Sequence, residues 1–218
     1  MKSKLFYTIA LMCSLLLFNL SAQSQTKKEK KATLKQLKTK AVKDAKKQAK
    51  TLSKQGYTEI PGDLPMAMQL ENSYYARLAQ DDMGNPKFFV VFQESKGESF
   101  AAAKQSAYQL CLNELATQIG SEIIGRIKTN LSNSESLNDS GSVNEVIGSY
   151  QNNVSARLGR TTPIVLLKKV DGGMTYITMS VKYPISEAER IVKEDLRKEL
   201  AKKSDLQQDE IDGLLDIR

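Results

Sequence analysis

The sequence predicts an α+β fold: a small antiparallel or mixed sheet with helices on one face, preceded by a basic N-terminal helix. Three observations lead there. Residues 98–128 carry apolar side chains at three- and four-residue spacing with no proline, a helix with a wide apolar face that needs more than one neighbour. PIVLLKKV (163–170) and MTYITMSVKY (174–183) are strand-like runs joined by Asp171-Gly172-Gly173, a pairing that tolerates the positive φ of a tight hairpin. KFFVVFQ (87–93) reads as a third strand, apolar on both sides and therefore buried.

Taken in order, the chain opens with Lys2 and Lys4, then an apolar run from Leu5 to Leu20, then SAQSQ with small residues at Ala22 and Ser24. This is the pattern of a secretory signal peptide, residues 1–24, and the run falls short of the roughly 20 residues that cross a bilayer. Met12 immediately before Cys13 makes a poor lipidation signal, so Cys13 is read as part of the leader. Removal of the leader leaves Cys111 as the single cysteine, and an intrachain disulfide is then impossible.

Residues 25–55 form a Lys-rich arm. Between Lys27 and Lys54 twelve lysines stand against Glu29 and Asp44, and neither glycine nor proline interrupts the run. Alanine, lysine, leucine and glutamine favour a helix. Leu34, Ala41, Ala45 and Leu52 share one face of it, flanked by Leu37, Val42 and Ala49, and Gly56 supplies the stop. The arm carries +10 and residues 55–218 carry −5, so the high isoelectric point belongs to the arm. Such a helix repels itself in isolation and wants an anionic surface, a groove for its Leu/Ala stripe, or its own acidic body.

The body is expected over 56–203. GYTEIPGD is a linker, and Asp63 is placed to cap a helix from Leu64 to about Ala79 with Met66, Leu70, Tyr74 and Leu78 on its apolar face. DDMGNP (81–86) is a loop before the first strand. On the long helix Ala103, Ala107, Leu110 and Cys111 define one apolar edge, and Tyr108, Leu112, Leu115, Ala116, Ile119, Ile123 and Ile127 define the next; Ala101 to Ala103 and Ala107 permit close backbone approach. Residues 130–142 are a polar loop, and Val143, Val146, Ile147, Tyr150 and Val154 mark a shorter helix. In the last strand Ile177, Met179, Val181 and Tyr183 alternate with Thr178, Ser180 and Lys182, one buried face against a wetter one. Ser186 with Glu189 reads as a capping box opening a helix to about Lys202, and Ser204 with Gln207 repeats the device for a last short helix, residues 204–218.

The inventory for catalysis is thin. The chain has no histidine, which removes the commonest general base and metal ligand near neutral pH. Cys111 reads as a small core residue, and no phosphate-loop, dinucleotide or nucleophile-elbow motif is present. NDSGS (138–142) lacks the ordered carboxylates of a calcium loop. A carboxylate hydrolase would need Asp81, Asp82, Asp139 and Glu145 to cluster. No catalytic, cofactor or metal residue is therefore expected, and no cofactor. The candidate contacts are Lys35, Lys38, Lys43, Lys46, Lys47 and Lys50, for an anionic surface. The arm has no aromatic side chain for stacking on bases, and an exported protein seldom meets DNA, so nucleic acid is not the expected partner.

FAAAKQSAYQLCLNELATQIGSEI followed by ARLGRTTPIVLLKKVDGGMTYITMSVKYP, behind a leader, resembles the Lpp-twenty-like envelope lipoproteins and the related small domain of flagellar basal-body T-ring proteins. The upstream AKTLSKQGYTEIPGDLPMAMQLENSYY is similar to the opening segment of exported relatives in Bacteroides-type bacteria, so the resemblance spans about residues 46–200. It implies an α+β domain facing the periplasm with a binding or assembly role and no catalysis, its partner an envelope protein or an anionic membrane surface. It transfers no catalytic residue. Met12-Cys13 departs from the lipoprotein pattern.

Overall fold

The computed structural model describes residues 27–134, 141–159 and 161–216, so the leader and Asp139 lie outside it. The described residues before Lys40 belong to one compact unit and those from Lys40 onward to another. The described residues are α+β, helices around a four-stranded antiparallel sheet, as the sequence predicts. In chain order the elements are α1 (Lys27–Lys54), β1 (Thr58–Glu59), α2 (Met66–Leu78) and β2 (Phe88–Gly97). There follow α3 (Phe100–Ile119), a π-turn (Gly120–Ile124), α4 (Gly125–Ser132), α5 (Gly141–Asn152) and α6 (Val154–Arg157). The chain closes with β3 (Pro163–Asp171), β4 (Met174–Pro184), α7 (Ile185–Lys203) and α8 (Gln208–Leu214).

The sheet runs β1-β3-β4-β2. The hairpin is built as the glycines dictate: Asp171 faces Met174, and Gly172 and Gly173 both take positive φ, 57° and 75°. Ile177, Met179, Val181 and Tyr183 of β4, with Phe89 and Val91 of β2, face the main core. There they meet Ala103, Ala107, Cys111, Leu115 and Ile119 of α3, and side chains of α5, α7 and α8.

Helices cover both faces of the sheet, a correction to the one-face expectation. On the second face Val165 and Leu167 of β3 meet Met66 and Leu70 of α2 and Ala45 and Leu52 of α1. The wetter side expected for β4 is consequently dry at Thr178 and Ser180, which are fully buried, while Lys182 at its end is exposed as expected. Burial demands partners, and they are present. Thr178 donates to Glu94 Oε1 at 2.9 Å, and Ser180 donates to the Val91 carbonyl at 2.8 Å beside the Ser73 hydroxyl at 3.3 Å.

The buried positions of the long helix recur every four residues, from Ala103 through Ala107, Cys111, Leu115, Ile119, Ile123 and Ile127 to Leu131. A four-residue step overshoots an α-helical turn by about 40°, so such a stripe drifts around the axis. The π-turn at Gly120–Ile124 adds a residue to one turn and takes back part of that drift, keeping Ile123, Ile127 and Leu131 in the core. Leu110, expected on the apolar edge, is 39% exposed. The small residues do allow close approach: a Cβ on Gly97 would lie 2.8 Å from the Ala103 nitrogen, and Ser95 Oγ donates to the Ala103 carbonyl at 2.6 Å.

Several helix ends differ from the sequence reading. α2 starts at Met66 behind Pro65, with no side-chain cap from Asp63. α7 starts at Ile185 directly from β4, its N–H bonded to the Lys87 carbonyl, so Ser186 already lies inside the first turn and caps nothing. Glu189 instead pairs with Arg126 at 3.2 Å. Ser204 ends α7, its hydroxyl donating to the Leu200 carbonyl, and the reciprocal bond at α8 comes from Glu210 accepting the Gln207 N–H at 2.8 Å. Helix continues through Ser132 and resumes at Gly141, so the expected 130–142 loop is shorter, with 135–140 outside the described residues. The expected linker holds β1, whose Thr58 and Glu59 pair with Lys168 and Leu167.

Candidate functional site: a lysine ridge

α1 is terminated by a Schellman turn. Gly56 adopts φ +88°, the Tyr57 N–H reaches the Leu52 carbonyl and the Gly56 N–H the Ser53 carbonyl, both at 3.0 Å. The accompanying apolar contact is also made, since Leu52 and Tyr57 share the second-face cluster. This turn and the pairing of β1 fix the end of the helix against the sheet.

From Lys40 to Lys54 the helix has two opposed sides. Ala41, Ala45 and Leu52 are buried, at 4%, 0% and 8% exposure. At about 100° per residue, Lys40, Lys43, Lys46, Lys47, Lys50 and Lys54 fall within an arc of about 120° centred opposite that stripe, and all six are exposed. None of them forms an ion pair among the described residues. Asp44, the single acid in this stretch, sits half-buried on the flank of the arc. The result is a basic edge about 21 Å long, from the α-helical rise over these positions.

Of the six lysines expected from the sequence, Lys43, Lys46, Lys47 and Lys50 lie on this ridge, whereas Lys35 and Lys38 belong to the other compact unit, where both are exposed. Lys40 and Lys54 complete the ridge and were not expected. Their signal was available in helical phase, since Lys54 lies opposite Ala41 and Ala45 and Lys40 stands about 120° from the centre of that stripe. The apolar stripe beneath the ridge is occupied by Met66, Leu70, Val165 and Leu167, so this segment docks on its own body through leucine and alanine rather than through its lysines. Beside it, Gln48, Leu70, Ser73, Tyr74, Arg77 and Phe92 line a shallow groove, with the Tyr74 hydroxyl donating to Gln48 Oε1 at 3.2 Å.

The groups considered for chemistry are committed elsewhere. Asp81 Oδ1 accepts the N–H groups of Met83 and Asn85, at 2.9 and 2.8 Å, and these backbone bonds hold its carboxyl below the usual range. It therefore ties its own loop. Asp82 and Glu145 are both exposed, and no cluster of three or more acids or cysteines able to hold a metal occurs among the described residues. Cys111 is fully buried, its thiol pushed up to about 11 by that burial. No described helix is long and apolar enough to cross a membrane.

Comparison with models of protein families, with curated proteins and with solved structures returns no match.

Proposed function

We propose that this chain is an exported, non-enzymatic protein of the cell envelope, with a binding or assembly role in the periplasm or on the periplasmic face of the outer membrane. Its contact with that envelope is the lysine ridge, and its partner there is an anionic surface. The observation that carries this reading is the opposition of the two sides of α1: Ala41, Ala45 and Leu52 go to the domain, and six lysines go to solvent. A helix that gives its apolar stripe to its own fold has nothing left to insert into hydrocarbon, but it presents cations at fixed spacing. Each lysine near an anionic bilayer contributes about 1 kcal/mol, screened by salt. The envelope placement rests on the leader and on the Lpp-twenty-like resemblance. The non-catalytic reading rests on a chain without histidine whose thiol is buried and whose Asp81 serves its loop.

The test is sedimentation of the isolated protein with vesicles. Phosphatidylglycerol-containing vesicles should carry it down at low salt and release it as salt rises, and purely zwitterionic vesicles should leave it in solution. Equal behaviour on both removes the ridge from the account.

A further inference from the structure

The two edges of the sheet are treated differently. On the β3 side the edge is sealed three times over. β1 covers Leu167 and Lys168, an irregularity interrupts the register between Pro163 and Val165, and the Gln69 side chain accepts the Leu166 N–H at 2.7 Å. These are the devices that keep a sheet from pairing with a stranger. On the β2 side none of them is present. Phe88–Gly97 is a ten-residue strand with no proline and no bulge, opening with FFVVF.

The phase of the ladder shows which backbone groups are left over. Phe88 faces Pro184, which has no N–H, and the Ile185 N–H donates to the Lys87 carbonyl at 3.0 Å. Odd-numbered residues of β2 therefore exchange hydrogen bonds with β4, and even-numbered residues turn their N–H and C=O away from it. The outward residues are Phe88, Val90, Phe92, Glu94 and Lys96, and no hydrogen bond to their backbone occurs among the described residues. A β-prone apolar segment with an open edge invites strand pairing.

We infer that this edge pairs with the same edge of a second copy, antiparallel about a two-fold axis through Phe92, to give a continuous eight-stranded sheet. Only the register centred on Phe92 sets all five outward residues against one another: 88 against 96, 90 against 94, and 92 against itself. Every outward N–H and C=O then finds a partner. Glu94 faces Val90 and Lys96 faces Phe88, so no like charges stand opposite each other. Centring on Glu94 would oppose two carboxylates. A two-fold contact of this kind is self-limiting and closes at the dimer.

Sedimentation velocity across a concentration series tests this, with Val90→Glu and Val90→Lys as a matched pair. Both place a charge at one half-buried edge position across the ladder from Lys182, so Val90→Glu is the milder change for the monomer, and a loss of association in that variant is not a loss of folding. In the dimer Val90→Glu opposes Glu94 twice and should weaken association by roughly tenfold or more, whereas Val90→Lys opposes it with the complementary sign and should keep the dimer. In the wild-type protein the amides of Val90 and Phe92 should gain exchange protection as concentration rises. A wild-type protein that stays monomeric with those amides exchanging freely overturns the inference, and so do two variants that associate equally or not at all.

Discussion

Ala45 and Lys47 lie two residues apart on α1, and the first is completely buried while the second stands in solvent. Two residues along a helix turn the side chain by about 200°, so the pair reports which way the segment faces. Ala45→Glu puts a carboxylate against Leu70 and Val165 and should cost at least about 2 kcal/mol. Lys47→Glu should leave stability within about 0.5 kcal/mol. Urea denaturation compares the two, and equal effects would mean that the helix is not seated as described.

Gln69 links two backbone segments, donating to the Leu64 carbonyl and accepting the Leu166 N–H, both at 2.7 Å. Gln69→Met keeps the volume and removes both bonds, leaving the Leu166 N–H without a partner. The expected loss is about 1–3 kcal/mol, read from the denaturant midpoint. An unchanged midpoint would show that water takes over the bond.

Gly97 touches backbone rather than a movable side chain, with Ala103 N and Cα at 2.8 and 3.2 Å from where a Cβ would sit. Gly97→Ala must push α3 away from β2, at a cost of about 1–3 kcal/mol. Gly125→Ala, where nothing lies within 4 Å, is the control and should be neutral or slightly stabilising.

Cys111 makes stability depend on alkaline pH. In the unfolded chain a thiol ionises near about 8.5, but burial holds it protonated in the fold to about 11. The unfolded state therefore binds fewer protons across that window, and stability falls as pH rises through it. Burial raises Tyr150 and Tyr183 as well, adding the same sign above about pH 10. Cys111→Ala should flatten the urea midpoint between about pH 8.5 and 10, the window set by those unperturbed values. Rapid reaction of the native thiol with an aromatic disulfide reagent at pH 8 would contradict its burial.

The periodic elements were readable because each carries a period long enough to count. The long helix, the hairpin and the strand at Phe88 all show it. What escaped has a physical reason in each case. β1 is two residues long, too short for alternation to register. The π-turn leaves no trace in residue type, only in a four-residue stripe that persists too long for a straight helix. The helix starts were misplaced because Ser186 and Ser204 have capping chemistry, but β4 runs straight into α7 at Ile185, and Ser204 is used at a C-terminus. The second covered face escaped because the Ala41–Leu52 stripe is narrow. It suffices because α2 and β3 bring Met66, Leu70, Val165 and Leu167 to meet it. The excess of lysine was plain, and the arc it occupies followed only once the buried stripe was located.

The ridge itself is tested most directly by a charge-matched comparison on phosphatidylglycerol-containing vesicles at low salt. One variant changes Lys43, Lys46, Lys47 and Lys50 to Gln, and the other changes the exposed Lys104, Lys128, Lys198 and Lys202 to Gln. At about 1 kcal/mol for each lysine held near the surface, the first should bind at least roughly a hundredfold more weakly than the unchanged protein. The second, equal in net charge, should bind nearly as the unchanged protein does. Equal loss in both variants would mean that net charge alone governs the contact, and no loss in the first would mean that the ridge faces something else.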